Sequence, residues 1–312
     1  MQKIFLFVFI GLIFSIKSIT YKRSTGTTWV PSSKITSSTT ASEDLIKYFL
    51  NFATIGYCYH GEYEKGNCCN SVLGNKWTQV ASGKETLFSY NYIIFKSTTY
   101  KKIVVALPGT RGTFQFLDEI LNSVLESYKF LSSIKIVDYF LTRAERIQQN
   151  VFDDLDKFKE DGYQIIFVGH SLGGAVASVL AFYGVDTGRI NKSKNNVILI
   201  TYGQPKTGNK KFVDAVMNAC TRVFRIVRDR DIVVNHASLD IPVLNNCQHL
   251  GGMVFFNKDM TNFENCNYSS REFDEFVGTK CEMTKTKLNK NDLTYHSYLA
   301  GDAELSKKCN KK

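Results

Sequence analysis

The sequence predicts an α/β fold, with one domain built on a mostly parallel central β-sheet that is flanked by helices. Two observations support this fold class. Strand-like apolar runs alternate with helix-like amphipathic segments, and no internal repeat or low-complexity linker divides the chain. Apolar residues make up 44% and charged residues 22% of the 312 residues. That composition is ordinary for a globular chain, so disorder and a coiled coil are excluded for most of it.

The first predicted element follows a Ser- and Thr-rich leader at 19–41 and is an amphipathic helix that starts near Ser42, a residue type that caps helices. Two β-branched strands follow at 91–96 and 102–107, separated by a short polar turn. Apolar residues at spacings of four, four and three then predict a helix over 138–160. The alternation continues with a strand at 163–168, a helix through Ala175, Val179 and Phe182, a strand at 197–202, a helix at 209–219 and a strand at 222–228.

The N-terminus has the features of a secretory signal peptide at 1–18. A basic start at Met1–Lys3 precedes a 13-residue apolar run, Ile4–Ile16. The alternative is an uncleaved anchor, but 13 residues reach only about 20 Å as a helix, against a hydrocarbon core of about 30 Å. We therefore expect a secreted protein, either extracellular or in the lumen of the secretory or lysosomal pathway, whose folded domain occupies 42–312.

The eight cysteines agree with an oxidising compartment and allow up to four disulfide bonds. Cys266 and Cys281 flank a polar stretch that offers few apolar residues to hold a loop, so we expect them to pair. The alternative is that some cysteines stay free and buried as small apolar residues. Two sequons, at Asn191 and Asn267, are glycosylation candidates if the chain is exported.

The charge balance favours anionic surfaces without naming one. Lys and Arg number 39 against 29 Asp and Glu, a formal net charge of +10. Zinc-finger spacing, an RNP motif and a dense basic stripe are all missing from the sequence, so nucleic acid is not favoured as a partner.

Residues 169–173 read Gly-His-Ser-Leu-Gly between an apolar strand and a helix rich in small residues. In this context the Gly-x-Ser-x-Gly pattern predicts the nucleophile elbow of an α/β-hydrolase, a tight turn that lifts the Ser171 hydroxyl out above the sheet. The following helix directs its N-terminal N–H groups and positive dipole end at a developing oxyanion. The alternative is a purely structural Gly-rich junction.

A serine nucleophile needs a base, and α/β-hydrolases order the triad as Ser, then Asp or Glu, then His. His236, His249 and His296 follow the serine, whereas His60 precedes it. His170 lies inside the elbow, where we expect its side chain to point away from the substrate.

The acid is expected just after the strand at 222–228, where both Asp229 and Asp231 lie. Asp231 precedes Ile-Val-Val and is the better candidate, because burial there would orient its carboxylate. Asp229 lies between two arginines and suits a surface position.

Three blocks of the sequence, at 169–175, 200–209 and 225–233, together resemble the fungal-type class 3 lipase family, and the resemblance spans roughly 42–300. It implies Asp231 as the triad acid and, through the segment Asn-Asp-Leu-Thr-Tyr-His-Ser-Tyr at 291–298, His296 as the base. It places His249 in a separate segment that leads into an antiparallel strand.

The segment 104–110 resembles the family's strand followed by Phe-Arg-Gly-Ser/Thr. The resemblance implies that Thr110 and the backbone N–H of Leu172 form the oxyanion hole. Pro108 stands where the family has Arg, and its ring can stiffen the same turn by fixing φ.

The resemblance also implies a mobile lid helix after Thr110. The apolar residues there recur at helical spacing, and the alternative for them is a permanently buried helix. They are Phe114, Phe116, Leu117, Ile120, Leu121, Val124 and Leu125. The family further implies that Cys309 pairs with Cys58, with Cys68 or Cys69 as rivals.

The implied activity is that of a secreted serine hydrolase, triacylglycerol lipase-like, that cleaves carboxylic esters of lipids through an acyl-enzyme without metal or cofactor. The implied protein is a monomer that works at a lipid–water interface, with transient contact with a membrane or lipid droplet. Phospholipase A1 and feruloyl-type esterase are the alternatives within the enzyme class. A catalytically inactive lipid-binding relative is the alternative outside it, but its triad would be expected to drift.

Overall fold

The computed structural model describes residues 43–56, 73, 75–85, 90–110, 124–128, 131–234, 242–258, 260, 262–266 and 296. The predicted signal peptide, leader and lid residues (Phe114, Phe116, Leu117 and Ile120) lie outside these ranges. In chain order the elements are α1 (Glu43–Ile55), β1 (Thr78–Lys84), β2 (Asn91–Ser97), β3 (Lys102–Leu107), β4 (Leu125–Tyr128), β5 (Leu131–Val137), α2 (Asp138–Phe158), β6 (Gln164–His170), α3 (Leu172–Asp186), β7 (Val197–Tyr202), α4 (Lys210–Ala219), β8 (Arg222–Arg228), α5 (Pro242–Asn245), β9 (Met253–Phe256) and β10 (Phe263–Asn265).

The main sheet has eight strands in the order β1-β2-β3-β6-β7-β8-β9-β10. Its five central strands, from β3 to β9, run parallel, and the strands at both margins pair antiparallel with their neighbours. β4 and β5 form a separate antiparallel pair. The α/β fold with a mostly parallel sheet, predicted from the sequence, is confirmed. The carboxyl ends of the parallel strands meet at one edge, where sites form in such folds.

The helices cover both faces of the sheet. α1 buries Phe49, Phe52 and other apolar residues against one face, in the cluster that includes Tyr202. α2, α3 and α4 cover the other face and share a larger apolar cluster. α3 is buried along nearly its whole length because it lies between the sheet and its two neighbouring helices. Its Gly and Ala residues suit this position, since small side chains permit close packing.

Two details differ from the sequence predictions. The segment after His249 does form a strand, but β9 pairs parallel with β8 and is antiparallel only to β10. Gly252 permits this course, because its φ of 70° is open to glycine and a Cβ there would lie 2.0 Å from the Val223 carbonyl oxygen. Leu125, expected to continue a helix, instead begins β4 and pairs with Val137.

The cysteines also depart from a framework of four bonds. Cys220 and Cys247 are free and buried, which leaves at most three disulfide bonds for the chain. Burial raises the pKa of each thiol to about 12, so both behave as small apolar residues. Cys281, the expected partner of Cys266, lies outside the described residues, as do Cys58 and Cys309, so those pairings stay predictions.

Among the helices of the described ranges, none combines the length and apolar character that crossing a bilayer requires.

Candidate active site

Ser171 lies in the turn between β6 and α3 and adopts a strained backbone conformation. Its φ is 56° and its ψ is −124°, an arrangement that non-glycine residues rarely adopt. The turn is tight because a Cβ at Gly169 would lie 2.2 Å from the Gly173 carbonyl carbon. Ser171 is only 3% exposed, so the candidate nucleophile is buried, whereas the predicted elbow lifts its hydroxyl out above the sheet.

Asp231 follows β8 and is fully buried. Its carboxylate accepts a hydrogen bond from the backbone N–H of Val233 at 2.9 Å, which orients it. The Nδ1 atom of His296 lies 2.9 Å from Oδ1 and 3.0 Å from Oδ2 of the same carboxylate. Because a carboxylate only accepts, Nδ1 carries the proton and Nε2 of the neutral imidazole is left as the basic nitrogen.

The structure thus brings Asp231, rather than Asp229, to His296. Asp229 is partly exposed, and its backbone N–H donates to the Phe256 carbonyl. His249 is buried elsewhere, with Nε2 3.2 Å from the Val234 carbonyl oxygen. His60 and His236 lie outside the described residues.

The loop after β3 places Thr110 at the same edge of the sheet. Leu107 at the end of β3 pairs with Gly169 on β6, so the loop 107–110 lies beside the elbow. The Tyr90 hydroxyl donates to the Pro108 carbonyl at 2.8 Å and fixes the loop. The Thr110 hydroxyl lies 3.4 Å from the Tyr139 hydroxyl.

Leu172 is the first residue of α3, and the N–H groups of a helix's first turn have no acceptor within the helix. Its backbone N–H and Thr110 therefore lie on the two segments that meet around Ser171. That the two form an oxyanion hole stays a prediction.

His170 contacts the candidate base, which the sequence analysis did not foresee. It is 6% exposed, its Nε2 lies 2.9 Å from the His296 carbonyl oxygen, and the two ring centroids are 4.7 Å apart. Burial, and after it the charge of His296, lowers the His170 pKa to about 3. The two residues are 126 positions apart, so no local pattern could have linked them.

Within the described ranges, no group of three His, Cys, Asp or Glu side chains could hold a metal ion.

Comparison with known proteins shows which families and structures the chain is similar to. The family model described as Lipase (class 3) matches residues 104–240. A lipase of Rhizomucor miehei is 30% identical over 151 residues, which is 47% of this chain and 40% of that protein. The chloroplastic Phospholipase A1-Igamma2 of Arabidopsis thaliana is 34% identical over 142 residues, 44% of this chain and 26% of that protein.

The chain spans between 39% and 52% of the length of the Caenorhabditis elegans, Rhizomucor and Rhizopus lipases that it matches. Among solved structures, a mutant form of the MDLA protein from Penicillium cyclopium superposes with a TM-score of 0.61 at 18% identity. That match covers 83% of this chain and 96% of that one and supports the same fold. The segment 104–240, which carries Thr110, Ser171 and Asp231, is thus similar to the class 3 lipases, fungal lipases among them.

Proposed function

We propose that this protein is a serine hydrolase that cleaves carboxylic esters of lipids, with triacylglycerols as its first substrate class. One observation carries the proposal: the buried Asp231–His296 pair lies at the carboxyl edge of the sheet, where the elbow presents Ser171. The lipases among the chain's relatives support the choice of lipid esters.

In the proposed mechanism, the Ser171 Oγ attacks the ester carbonyl carbon while His296 Nε2 takes the hydroxyl proton. Asp231 holds the Nδ1–H and stabilises the imidazolium that forms. The imidazolium then gives its proton to the departing alcohol, and the Ser171 acyl ester remains. A water molecule, deprotonated by the same imidazole, attacks the acyl-enzyme and releases the fatty acid and free Ser171.

The negative charge of each tetrahedral intermediate falls on the former carbonyl oxygen. We assign its stabilisation to the N–H groups of Thr110 and Leu172, with the Thr110 hydroxyl as a further donor. In enzymes of this kind, loss of one oxyanion donor lowers kcat by about 10²–10³-fold. No step requires a metal or a cofactor.

The proposal includes a lid formed by Phe114, Phe116, Leu117 and Ile120. The 3% exposure of Ser171 supports it, because a lipid ester reaches a buried hydroxyl only after covering groups move. A monomer whose lid opens at a lipid–water surface would contact a membrane or droplet only transiently. The expected signature is a rise in hydrolysis rate once a short-chain ester exceeds its solubility limit.

Phospholipase A1 activity is the second candidate. Two observations favour it: the 34% identity to a phospholipase A1 and the net charge of +10, which favours anionic lipid surfaces. It uses the same catalytic residues and differs only in the head group accepted.

We also propose export, with a signal peptide at 1–18, the folded domain at 42–312 and a glycan on Asn191. Asn191 is exposed in the loop before β7, at the amino edge of the sheet and therefore opposite the carboxyl edge that carries Ser171. A glycan there would leave the proposed site open. N-terminal sequencing of protein recovered from the medium checks the cleavage. Loss of an N-glycosidase mobility shift in Asn191→Gln, with Lys192→Gln as the matched control, checks the glycan.

A hydrolysis panel tests the activity. Purified mature protein is given triacylglycerol, phosphatidylcholine, an anionic phospholipid and a feruloyl ester, with Ser171→Ala as the control. We expect fatty acid release from triacylglycerol that the control lacks. Release from phospholipid at a higher kcat/KM would replace the first candidate by the second, and feruloyl ester turnover alone would overturn both. Failure to hydrolyse any ester or to react with a fluorophosphonate would identify a catalytically inactive relative.

A further inference from the structure

His170 is a buried titratable side chain that the mechanism above does not use. It is the last residue of β6, immediately before Ser171. Its imidazole nevertheless contacts His296 twice: Nε2 lies 2.9 Å from the His296 carbonyl oxygen, and the rings stack with centroids 4.7 Å apart and planes at 33°. One contact is with the main chain of the candidate base and the other with its side chain.

The first contact fixes the proton on the His170 ring. A carbonyl oxygen only accepts, so Nε2 is the donor, and Nδ1 of the neutral ring carries no proton. Burial lowers the His170 pKa to about 3, so the ring stays neutral across the range in which an imidazole base works. The donor is therefore present whenever His296 is a base.

Asp231 and His170 hold His296 in different ways. The Asp231 carboxylate grips the Nδ1 edge of the imidazole and sets the orientation of the ring. The His170 hydrogen bond holds the carbonyl of the same residue and so locates the main chain from which that ring projects. Both the orientation of the His296 ring and the position of its main chain must be fixed for the basic nitrogen to meet the serine hydroxyl. A correctly oriented ring would still miss the hydroxyl if its main chain were displaced.

We propose that His170 is a positioning residue that ties the base to the nucleophile. His170 and Ser171 are consecutive residues. The hydrogen bond from His170 to the His296 carbonyl therefore fixes the position of the base relative to the strand that carries the nucleophile. The proposal rests on the proposed function only in taking Ser171 and His296 as nucleophile and base.

Three substitutions separate the possible contributions of His170. His170→Gln can place an amide N–H where Nε2 lies, but it removes the ring. His170→Asn ends one bond shorter, where Nδ1 lies, and cannot reach the carbonyl. His170→Phe keeps a ring of similar size and loses the donor. His249→Asn is the matched control, because it removes a buried imidazole whose Nε2 faces a different carbonyl, that of Val234.

The measurements are kcat and KM for a soluble ester and the rate at which a fluorophosphonate labels Ser171. We expect His170→Asn and His170→Phe to lower both kcat and the labelling rate by about 10²-fold with KM unchanged, the usual effect of an approximately 1 Å misplacement of a catalytic group. We expect His170→Gln to stay within about tenfold of the wild type, the equivalent of one altered hydrogen bond, and His249→Asn to stay within the same range.

A proton NMR spectrum supplies a readout that does not depend on turnover. The low-field resonance of the His296 Nδ1 proton, shared with Asp231, should persist in His170→Gln and shift or broaden in His170→Asn. Near-ultraviolet circular dichroism establishes that each variant is folded. If His170→Phe does not fold, the Gln and Asn pair still decides the question.

Equal labelling rates in the wild type, His170→Asn and His170→Gln would overturn the proposal, as would a His170→Gln variant no better than His170→Asn. A wild type that is labelled but hydrolyses no lipid ester would instead refute the proposed substrate class and leave the test of His170 intact.

Discussion

Gly173→Ala should damage the catalytic site more than it destabilises the fold. A Cβ at this position would lie 2.2 Å from the Leu107 carbonyl oxygen and 2.6 Å from that of Pro108. Real Cβ contacts are essentially never shorter than 3.0 Å, so helix α3 or the loop 107–110 must move by about 0.8 Å or more. Both oxygens belong to the main chain, and Tyr90 holds one of them, so no side-chain rotation can relieve the clash.

The magnitude of each effect follows from that displacement. Overpacking costs about 1–3 kcal/mol, of which the better helix propensity of alanine returns about 1 kcal/mol. At about 2–4 °C per kcal/mol, we expect Tm to fall by only a few degrees. The loop that moves carries Thr110, so the proposed oxyanion hole shifts against Ser171 and kcat should fall by about 10²-fold.

Thermal unfolding and ester hydrolysis, measured on the same preparation, check the two effects separately. Gly174→Ala is the matched control, one residue further along the same helix. Its Cβ would meet Gln204 Cβ at 3.1 Å and Thr201 Cβ at 3.2 Å, a shortfall of only a few tenths of an ångström. The control should keep nearly full activity. Wild-type kcat in Gly173→Ala would refute the reasoning, because the loop would then not be held against α3.

Ser171→Ala should lower ester hydrolysis by about 10⁶-fold with little change in Tm, and a residual rate above about a thousandth of the wild type would count against this nucleophile. His296→Ala should be as damaging, whereas His249→Ala should keep about a tenth of the activity or more; the reverse result would move the base to His249. The buried His170 should make stability depend on pH. Below pH 6.5 the unfolded chain binds a proton that the folded chain does not bind until about pH 3. The unfolding free energy therefore falls by about 1.4 kcal/mol per pH unit as the pH is lowered through that window, and this contribution is complete above pH 6.5. Urea titrations at pH 7 and pH 4.5 should show a steeper fall for the wild type than for His170→Gln, and parallel slopes would contradict the burial of a neutral imidazole.

The central elements were predictable because their periodicity is strong. β6 and β7 are continuous apolar runs, and α2 repeats its apolar residues along one face. β1 was missed by the sequence analysis because Val80 and Ala81 are its only apolar side chains. Its seven residues are half-buried or exposed, and its pairing with β2 contains a register shift. A strand of this kind forms because it pairs with β2. Its own residues alternate too little between apolar and polar to predict a strand.

The site residues also differ in how far the sequence could predict them. Ser171 could be found from five consecutive residues, since the elbow is a local structure. The pairing of Asp231 with His296 spans 65 positions and came only from the family resemblance. Neither the local motif nor the family resemblance predicted the contact of His170 with the His296 carbonyl. A main-chain acceptor does not depend on residue type, and position 170 is one of the two variable positions of the motif.

The positions of the site residues along the chain also determine the order in which they are synthesised. Thr110, Ser171 and Asp231 follow the parallel strands β3, β6 and β8, but the partner of Asp231 is synthesised only at residue 296. At a synthesis rate of about 5–20 residues per second, the ribosome needs several seconds to travel the 65 positions between them. During that interval the growing chain already contains the proposed nucleophile and acid but not the proposed base. The proposed hydrolase would therefore have no activity toward nearby lipid esters until residue 296 had been synthesised.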